Sequence, residues 1–134
     1  MTLLKSYLQR RNIIAFECPT CLKNTLHITT KIELPPDNRS DEITLQLVKC
    51  TRCALQAIAI YEESRRGALD SELWNHTGYQ VDDDALKAVT QAIKQCPSPS
   101  NPNCQCQPHR TLEKMLLDRS WQGVNTTSFS MKLG

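Results

Sequence analysis

The sequence predicts an α+β fold in which a three-stranded antiparallel sheet is flanked along the chain by helices. Two segments, 26–34 and 43–47, alternate apolar and polar residues, which predicts half-buried strands. A third segment, 54–63, is apolar on both faces, which predicts a central, covered strand. Helical spacing of apolar residues recurs at 3–8 and 86–93. At 134 residues, the chain fits a single domain, 1–134.

The N-terminal segment predicts a short amphipathic helix. Its apolar residues recur at helical spacing and are Leu3, Leu4, Tyr7 and Leu8. Basic residues interrupt the apolar clusters, so the segment lacks the continuous apolar region of a secretory signal, although the absence of acids before Glu17 also suits a mitochondrial presequence. No apolar run approaches the roughly 18 residues of a membrane span. We therefore expect a cytoplasmic protein that does not enter a membrane.

The three predicted strands follow one another closely. The first is expected to place five side chains on one face, namely Leu26, Ile28, Thr30, Ile32 and Leu34. Pro35 and Pro36 end this strand because proline cannot donate to a ladder. Segment 42–49 then returns antiparallel, and 54–63 lies beside it.

The second half of the chain predicts helices after an irregular region. In 64–81 we expect only a short helical turn around Trp74. Segment 82–95 predicts a clear helix, because three aspartates lie in its first turn, where the helix dipole favours negative charge. A further short helix is expected at 111–118, and 128–133 favours a final strand.

Two cysteine pairs of identical spacing predict a metal site. CPTC occupies 18–21 and CTRC occupies 50–53. A C-x2-C pair lets both sulfurs face one ion, and two pairs supply the four soft ligands of a tetrahedral structural zinc. The intervening chain is long enough for a strand, a turn and a returning strand. The predicted ligands are Cys18, Cys21, Cys50 and Cys53, a set that would also suit iron.

The order of knuckle, hairpin, knuckle and strand resembles the zinc-ribbon family over residues 14–63. The resemblance implies a structural zinc on the four cysteines and a three-stranded antiparallel sheet. It also implies nucleic acid or protein partners, which members of that family commonly bind. The chain departs from the family pattern at Leu22 and Ala54, where glycine often follows the second cysteine of each pair. Residues 64–134 would then form a helical extension of the same domain.

A second cysteine-rich segment, CPSPSNPNCQCQPH at 96–109, predicts another zinc site. The expected ligands are Cys96, Cys104, Cys106 and His109, and three thiolates with one imidazole are a known structural zinc set. The segment has almost no apolar residues, so bound metal would supply its organising energy. Free thiols in an exposed loop, a Cys96–Cys104 disulfide, or copper(I) on the C-x-C pair are the alternatives. The predicted cofactor content is two Zn²⁺ ions, and seven cysteines, an odd number, favour a reducing compartment over a disulfide framework.

The motif content favours a non-enzymatic role. No P-loop, nucleophile elbow or H-E-x-x-H motif occurs, and both predicted sites use all four coordination positions. We expect a zinc-binding adaptor or regulatory protein that docks a protein partner. The predicted docking patch contains Arg65 and Arg66, with Trp74 and Tyr79 as aromatic contacts of the kind that interfaces favour. A solvated surface of self-paired charges would explain the same residues.

Two other functions remain open. Nucleic-acid binding would use Arg10, Arg11, Lys23 and Arg52, together with the basic pair at 65–66. Against it stand a net charge of only +2 and an aromatic content of 5%, and the cations beside the knuckles would also offset the negative charge of a zinc–thiolate site. Metal storage or redox sensing would require at least one labile site.

Overall fold

Five antiparallel strands and two helices form the described part of the chain. A computed structural model describes residues 15–37, 40–64, 73–118 and 126–133. The elements are β1 (Leu26–Leu34), β2 (Glu42–Cys50), β3 (Gln56–Ser64), β4 (Leu73–Gln80), α1 (Asp83–Gln95), α2 (Gln107–Asp118) and β5 (Thr127–Ser130). Each strand pairs with the next, so the sheet order is β1-β2-β3-β4-β5. The α+β class is confirmed, but the predicted three-stranded sheet is wrong, because β4 and β5, the latter overlapping the final strand predicted at 128–133, extend it to five strands. The predicted N-terminal helix lies outside the described residues.

Strand β4 replaces the helical turn that we predicted around Trp74. It runs antiparallel to β3, with Tyr61 opposite His76 and Ala59 opposite Gly78. Because β3 is central, its outer peptide groups need a partner strand, and this requirement outweighs the polar, irregular composition of the segment. Gly78 is required by a close approach, because a Cβ at this position would overlap the ring of Phe129 in β5.

A β-bulge in β1 splits the side chains that we predicted on one face. The register pairs Ile28 with Val48 and Thr30 with Leu47, so Thr29 is an extra residue on β1. One inserted residue reverses the alternation of the strand. Leu26 therefore faces one side of the sheet, and Ile32 and Leu34, later in the strand, face the other. The prediction of a single shared face is wrong for this reason.

The two faces of the sheet bury separate apolar clusters. The helix-side cluster lies between the sheet and both helices and contains Ile32, Leu34, Ile43, Leu45, Leu47, Ile58, Ile60, Val89, Ala92, Ile93, Cys96, Leu112 and Leu116. The knuckle-side cluster covers the opposite face near the first two cysteine pairs and contains Phe16, Cys18, Leu26, Val48, Cys50, Ala57, Ala59 and Met131. Each large aliphatic side chain buried in this way stabilises the fold by about 1.5–3 kcal/mol. Two of the cysteines predicted to bind metal belong to the knuckle-side cluster, so that metal site is continuous with the core.

The helices begin where the local sequence provides a suitable first turn. The side chain of Asp82 accepts a 2.8 Å hydrogen bond from the N–H of Ala85, which caps α1 close to its predicted start. Helix α2 begins at Gln107, four residues before the predicted start at Thr111. Pro108 lies in its first turn, where the missing N–H of proline costs nothing. This earlier start places His109 on the helix rather than in the loop.

A short segment before the first knuckle joins the two edges of the sheet. Phe16 forms one isolated bridge to Leu26, at the start of β1, and another to Leu133, just after β5. The N–H of Glu17 also donates a 2.8 Å hydrogen bond to the carbonyl of Lys132. The chain around 16–18 is therefore held from both sides as it enters the first cysteine pair. In the described ranges, neither helix has the length and apolarity needed to cross a membrane.

Candidate metal centres

The first cysteine pairs form two equivalent knuckles. In each, the N–H of the leading cysteine donates a 2.8 Å hydrogen bond to a carbonyl five residues later, from Cys18 to Lys23 and from Cys50 to Leu55. Both knuckles require a left-handed residue just after the second cysteine, at Leu22 (φ 61°) and Ala54 (φ 64°). Glycine would adopt this conformation without strain. The chain thus forms the knuckle turn with side chains present at both positions.

The four sulfurs of these knuckles, which we call site 1, have the spacing of a tetrahedral metal site. All four Sγ atoms lie within 4.8 Å of one another. The Sγ atoms of Cys18 and Cys53 are 3.5 Å apart, and those of Cys21 and Cys50 are 3.8 Å apart. Zinc–sulfur bonds of about 2.3 Å in tetrahedral geometry place the sulfurs about 3.8 Å apart. Site 1 could therefore hold a metal ion with little rearrangement.

The electrostatics of site 1 are unequal among its thiols. Desolvation raises the pKa of Cys50, but hydrogen bonds from the Thr25 hydroxyl and from the N–H groups of Cys53 and Arg52 outweigh it and lower the pKa to about 6. At Cys53 the Leu55 N–H lowers the pKa, but desolvation and the neighbouring thiols dominate and raise it to about 12. At neutral pH the sulfur of Cys50 is therefore mostly a thiolate, whereas the thiol of Cys53 keeps its proton until a metal cation replaces that proton.

The second cluster, site 2, joins the end of α1 to the start of α2. Cys96 is the C-cap of α1, and His109 lies in the first turn of α2. Cys96 Sγ lies 3.8 Å from Cys104 Sγ and 3.4 Å from His109 Nδ1, and the four ligand atoms, including that of Cys106, lie within 4.8 Å of one another. Tetrahedral zinc with one nitrogen and three sulfurs requires about 3.6 Å between nitrogen and sulfur. Site 2 could hold a second metal ion.

His109 is buried and directs one ring nitrogen toward the thiols of site 2. Its side chain is only 1% exposed, and Nε2 has no hydrogen-bond partner among the described residues. Nδ1 faces the thiol of Cys96 and is the nitrogen available to a metal ion, so coordination through Nδ1 would leave Nε2 as the unpaired polar atom of the ring. Desolvation, with help from the thiols of Cys106 and Cys104, raises the pKa of Cys96 to about 11, and the N–H of Cys106 lowers the pKa of Cys104.

The loop between Cys96 and Cys104 is ordered by its own turns. The N–H of Asn101 bonds to the carbonyl of Ser98 at 3.0 Å, and the N–H of Cys104 bonds to the carbonyl of Asn101 at 3.1 Å. The N–H of His109 donates to Cys106 Sγ at 3.3 Å. These short-range bonds hold the thiols of Cys104 and Cys106 close to Cys96 and His109, the two buried residues of the site.

Two of the residues predicted to dock a partner, Trp74 and Tyr79, lie on opposite faces of β4. Trp74 is 61% exposed on β4, whereas Tyr79 is half-buried and packs against the helix-side cluster. The two are five positions apart on one strand, and an odd spacing puts them on opposite faces. Arg65 and Arg66 lie outside the described residues.

The residues of the nucleic-acid alternative are placed only in part. Lys23 lies two residues after the first cysteine pair, Arg52 lies within the second pair, and Lys49 directly precedes that pair; all three are exposed. Arg10 and Arg11 lie outside the described residues. The alternative therefore keeps a small cationic surface next to site 1.

Thr25 is a site residue that sequence reasoning missed. Its hydroxyl lies 3.0 Å from Cys50 Sγ and 3.7 Å from Cys21 Sγ. The available signal was a hydroxyl residue four positions after the first C-x2-C pair and directly before β1. The C-x2-C spacing concerns only the metal ligands, so it does not predict a hydroxyl group beside them.

No protein-family model, curated protein or solved structure matches the chain.

Proposed function

We propose that the chain is a zinc-binding protein of zinc-ribbon type with two structural Zn²⁺ ions, one in each site. The observation that carries this proposal is that two separate sets of four ligand atoms converge, each within 4.8 Å, one from two distant parts of the chain and one from residues 96–109. Zinc suits both donor sets, since four thiolates or three thiolates with one imidazole are its usual structural ligands. Copper(I) would need only the thiolates of the C-x-C pair, whereas zinc uses all four ligands of site 2.

The two ions would stabilise different parts of the fold. Site 1 joins the turn before β1 to the turn between β2 and β3, and its buried sulfurs contact the knuckle-side cluster. Site 2 joins α1 to α2 across a proline-rich loop, beside the helix-side cluster. Because metal binding in such sites is coupled to folding, each ion would raise the free energy of unfolding of its own region.

Both sites suit a structural rather than a catalytic role. A catalytic zinc keeps an open position for water or substrate, and each set here offers four protein ligands. We therefore propose a non-enzymatic protein that presents its surface to a macromolecular partner. Trp74 is the residue that best supports a protein partner, because a tryptophan with 61% exposure on a strand is a typical interface contact.

Partner capture with matched variants tests the adaptor role. Leu117 is the control, since it is 67% exposed on α2, far along the chain from Trp74. A defined protein that is retained by the wild type and by Leu117→Ala after nuclease treatment, but lost with Trp74→Ala, supports the proposal. Equal retention by both variants would show that Trp74 does not mediate docking.

Nucleic-acid binding is the second candidate, favoured by the exposed cations beside site 1. Lys23, Lys49 and Arg52 would each contact a phosphate. Three phosphate contacts predict that log K falls with log salt concentration with a slope of about −2 to −3. Binding that persists unchanged in Lys23→Ala/Arg52→Ala, or a slope near zero, would remove this candidate.

A further inference from the structure

The Thr25 side chain connects the two knuckles of site 1 without belonging to the ligand set. Its Oγ1 is 3.0 Å from the sulfur of Cys50 and 3.7 Å from that of Cys21. A carbonyl acceptor, that of Lys23, lies farther away at 3.5 Å. A metal-bound thiolate has no proton of its own, so the hydroxyl must be the donor in the contact with Cys50.

The backbone fixes the position of this hydroxyl. The N–H of Thr25 bonds to the carbonyl of Lys23 at 2.9 Å, and its carbonyl accepts the N–H of Thr51 at 3.0 Å. One of these bonds reaches the loop that follows the first knuckle, and the other reaches the second knuckle. Thr25 is therefore held by both knuckles while its side chain contacts a sulfur from each.

The sulfur of Cys50 accepts hydrogen bonds from three donors. Besides the hydroxyl, the N–H groups of Arg52 and Cys53 each approach it at 3.3 Å. Hydrogen bonds to a thiolate stabilise its charge, and in metal–sulfur centres they alter the electronic properties of the metal. The hydroxyl adds a donor that the peptide groups of the knuckle cannot supply.

In the described ranges of the chain, site 2 has no side chain comparable to Thr25. Among the described residues, no side-chain hydroxyl lies within hydrogen-bond distance of Cys96, Cys104 or Cys106, and the peptide N–H of His109 contacts Cys106 at 3.3 Å. The two sites thus differ in the groups around their ligands as well as in the ligands themselves.

We propose that Thr25 is a positioning residue of site 1, whose hydroxyl donates to the Cys50 thiolate and holds the sulfurs of both knuckles in the metal-binding arrangement. The inference rests on the proposed metal at site 1. It predicts that removal of the hydroxyl weakens metal binding at site 1 by about 10- to 100-fold, the usual effect of losing a group that orients a ligand. It also predicts an altered electronic environment of the metal at this site alone.

The test uses ¹¹³Cd²⁺ bound to the full chain, because cadmium NMR separates a four-thiolate signal from a three-thiolate, one-imidazole signal in the same molecule. Thr25→Val removes the hydroxyl and keeps the shape, and Thr25→Ser restores the hydroxyl. Thr111→Val is the matched control, since the Thr111 hydroxyl bonds to the Gln107 carbonyl on α2, away from site 1. The signal of site 2 serves as the internal reference.

The expected result is a shifted site 1 signal and loss of that cadmium at about 10- to 100-fold lower chelator concentration in Thr25→Val, with site 2 unchanged. Thr25→Ser and Thr111→Val should resemble the wild type. An unchanged signal and unchanged chelator sensitivity in Thr25→Val would overturn the role of Thr25 while leaving the proposed metal site intact. Failure of the wild type to bind cadmium at site 1 would overturn the proposed function as well.

If Thr25→Val does not fold, a measurement on the wild type tests the hydrogen bond from the Thr25 hydroxyl to the Cys50 sulfur. A slowly exchanging Thr25 hydroxyl proton with scalar coupling to ¹¹³Cd would demonstrate the hydrogen bond to the ligand sulfur. A hydroxyl proton in free exchange with water, without such coupling, would contradict it.

Discussion

The N–H of Glu33, near the end of β1, donates a 2.7 Å hydrogen bond to the carbonyl of Pro99, in the loop of site 2. The site 2 loop therefore covers part of the outer edge of β1, a sheet edge whose free peptide groups would otherwise invite pairing with another chain. Proline suits this position because it offers a carbonyl but no N–H, so the ladder cannot continue outward. The proline-rich segment, which has almost no apolar residues to hold it in place, thus has a structural role at the sheet edge.

Loss of metal from site 2 should loosen this edge contact. In Cys104→Ser we expect the Glu33 amide to exchange about three- to tenfold faster, since a net hydrogen bond contributes about 0.5–1.5 kcal/mol. The amide of Leu45, in the interior of β2, is the control and should keep its wild-type rate. Amide hydrogen exchange measured by NMR checks this. An unaltered rate at Glu33 would show that the loop holds its position without site 2.

Replacement of the knuckle residue Ala54 by glycine should stabilise the fold. Its φ of 64° costs an L-residue about 1–2 kcal/mol, so Ala54→Gly should raise the free energy of unfolding by about 1 kcal/mol after the larger entropy of glycine in the unfolded chain is subtracted. Ala88→Gly is the matched control, because Ala88 is exposed within α1 and its replacement should lower stability by about 1 kcal/mol. Denaturant unfolding at saturating zinc measures both. Two decreases of equal size would contradict the left-handed conformation at Ala54.

Gly78 should tolerate no side chain while Phe129 is present. Gly78→Ala would push a methyl group into the ring of Phe129, and we expect a loss of about 1–3 kcal/mol. In the double variant Gly78→Ala/Phe129→Ala, the clash is absent, so the combined loss should be smaller than the sum of the single losses. Thermal or denaturant unfolding of the four proteins completes the cycle. Strict additivity would mean that the two residues are not in contact.

Metal binding should release protons near neutral pH. The pKa values of Cys53, about 12, and Cys96, about 11, mean that both thiols are protonated at pH 7 without metal, whereas coordination requires thiolates. Cys50, with a pKa of about 6, is already largely ionised and contributes little. The affinity should therefore rise as pH rises, with release of at least two protons per chain on filling both sites.

Calorimetry in buffers of different ionisation enthalpy measures this release. The observed heat of zinc binding should change with the buffer in proportion to the protons released. Identical heats in all buffers would contradict the protonated state of Cys53 and Cys96.

The sequence was sufficient to predict which cysteine and histidine side chains come together and where helix α1 lies. Cysteine spacing and the hairpin between the pairs predicted that four sulfurs would meet, and the acidic start at 82–84 located the helix. These features depend on local chemistry, which can be read along the chain. Occupancy of both sites by zinc, the single-domain organisation and the role of the partner surface stay predictions.

The features that sequence analysis missed depend on tertiary pairing. The bulge at Thr29 interrupts a segment whose alternation is regular, because its position is set by pairing with β2. Strand β4 is polar and contains Gly78, so its sequence lacks the pattern of a strand. Its pairing with β3 and the close approach of Phe129 to Gly78 explain this composition. The hydroxyl of Thr25 meets the sulfur of Cys50 only when the two knuckles come together.

Native mass spectrometry of the purified chain tests the central claim most directly, because it counts bound ions in the folded protein. The account predicts a mass increase equal to two Zn²⁺ ions per chain, falling to one in Cys18→Ser and to one in Cys96→Ser. A wild-type chain that carries no zinc after purification and after addition of zinc, or that binds one ion which both variants lose, would contradict the account of two independent metal centres.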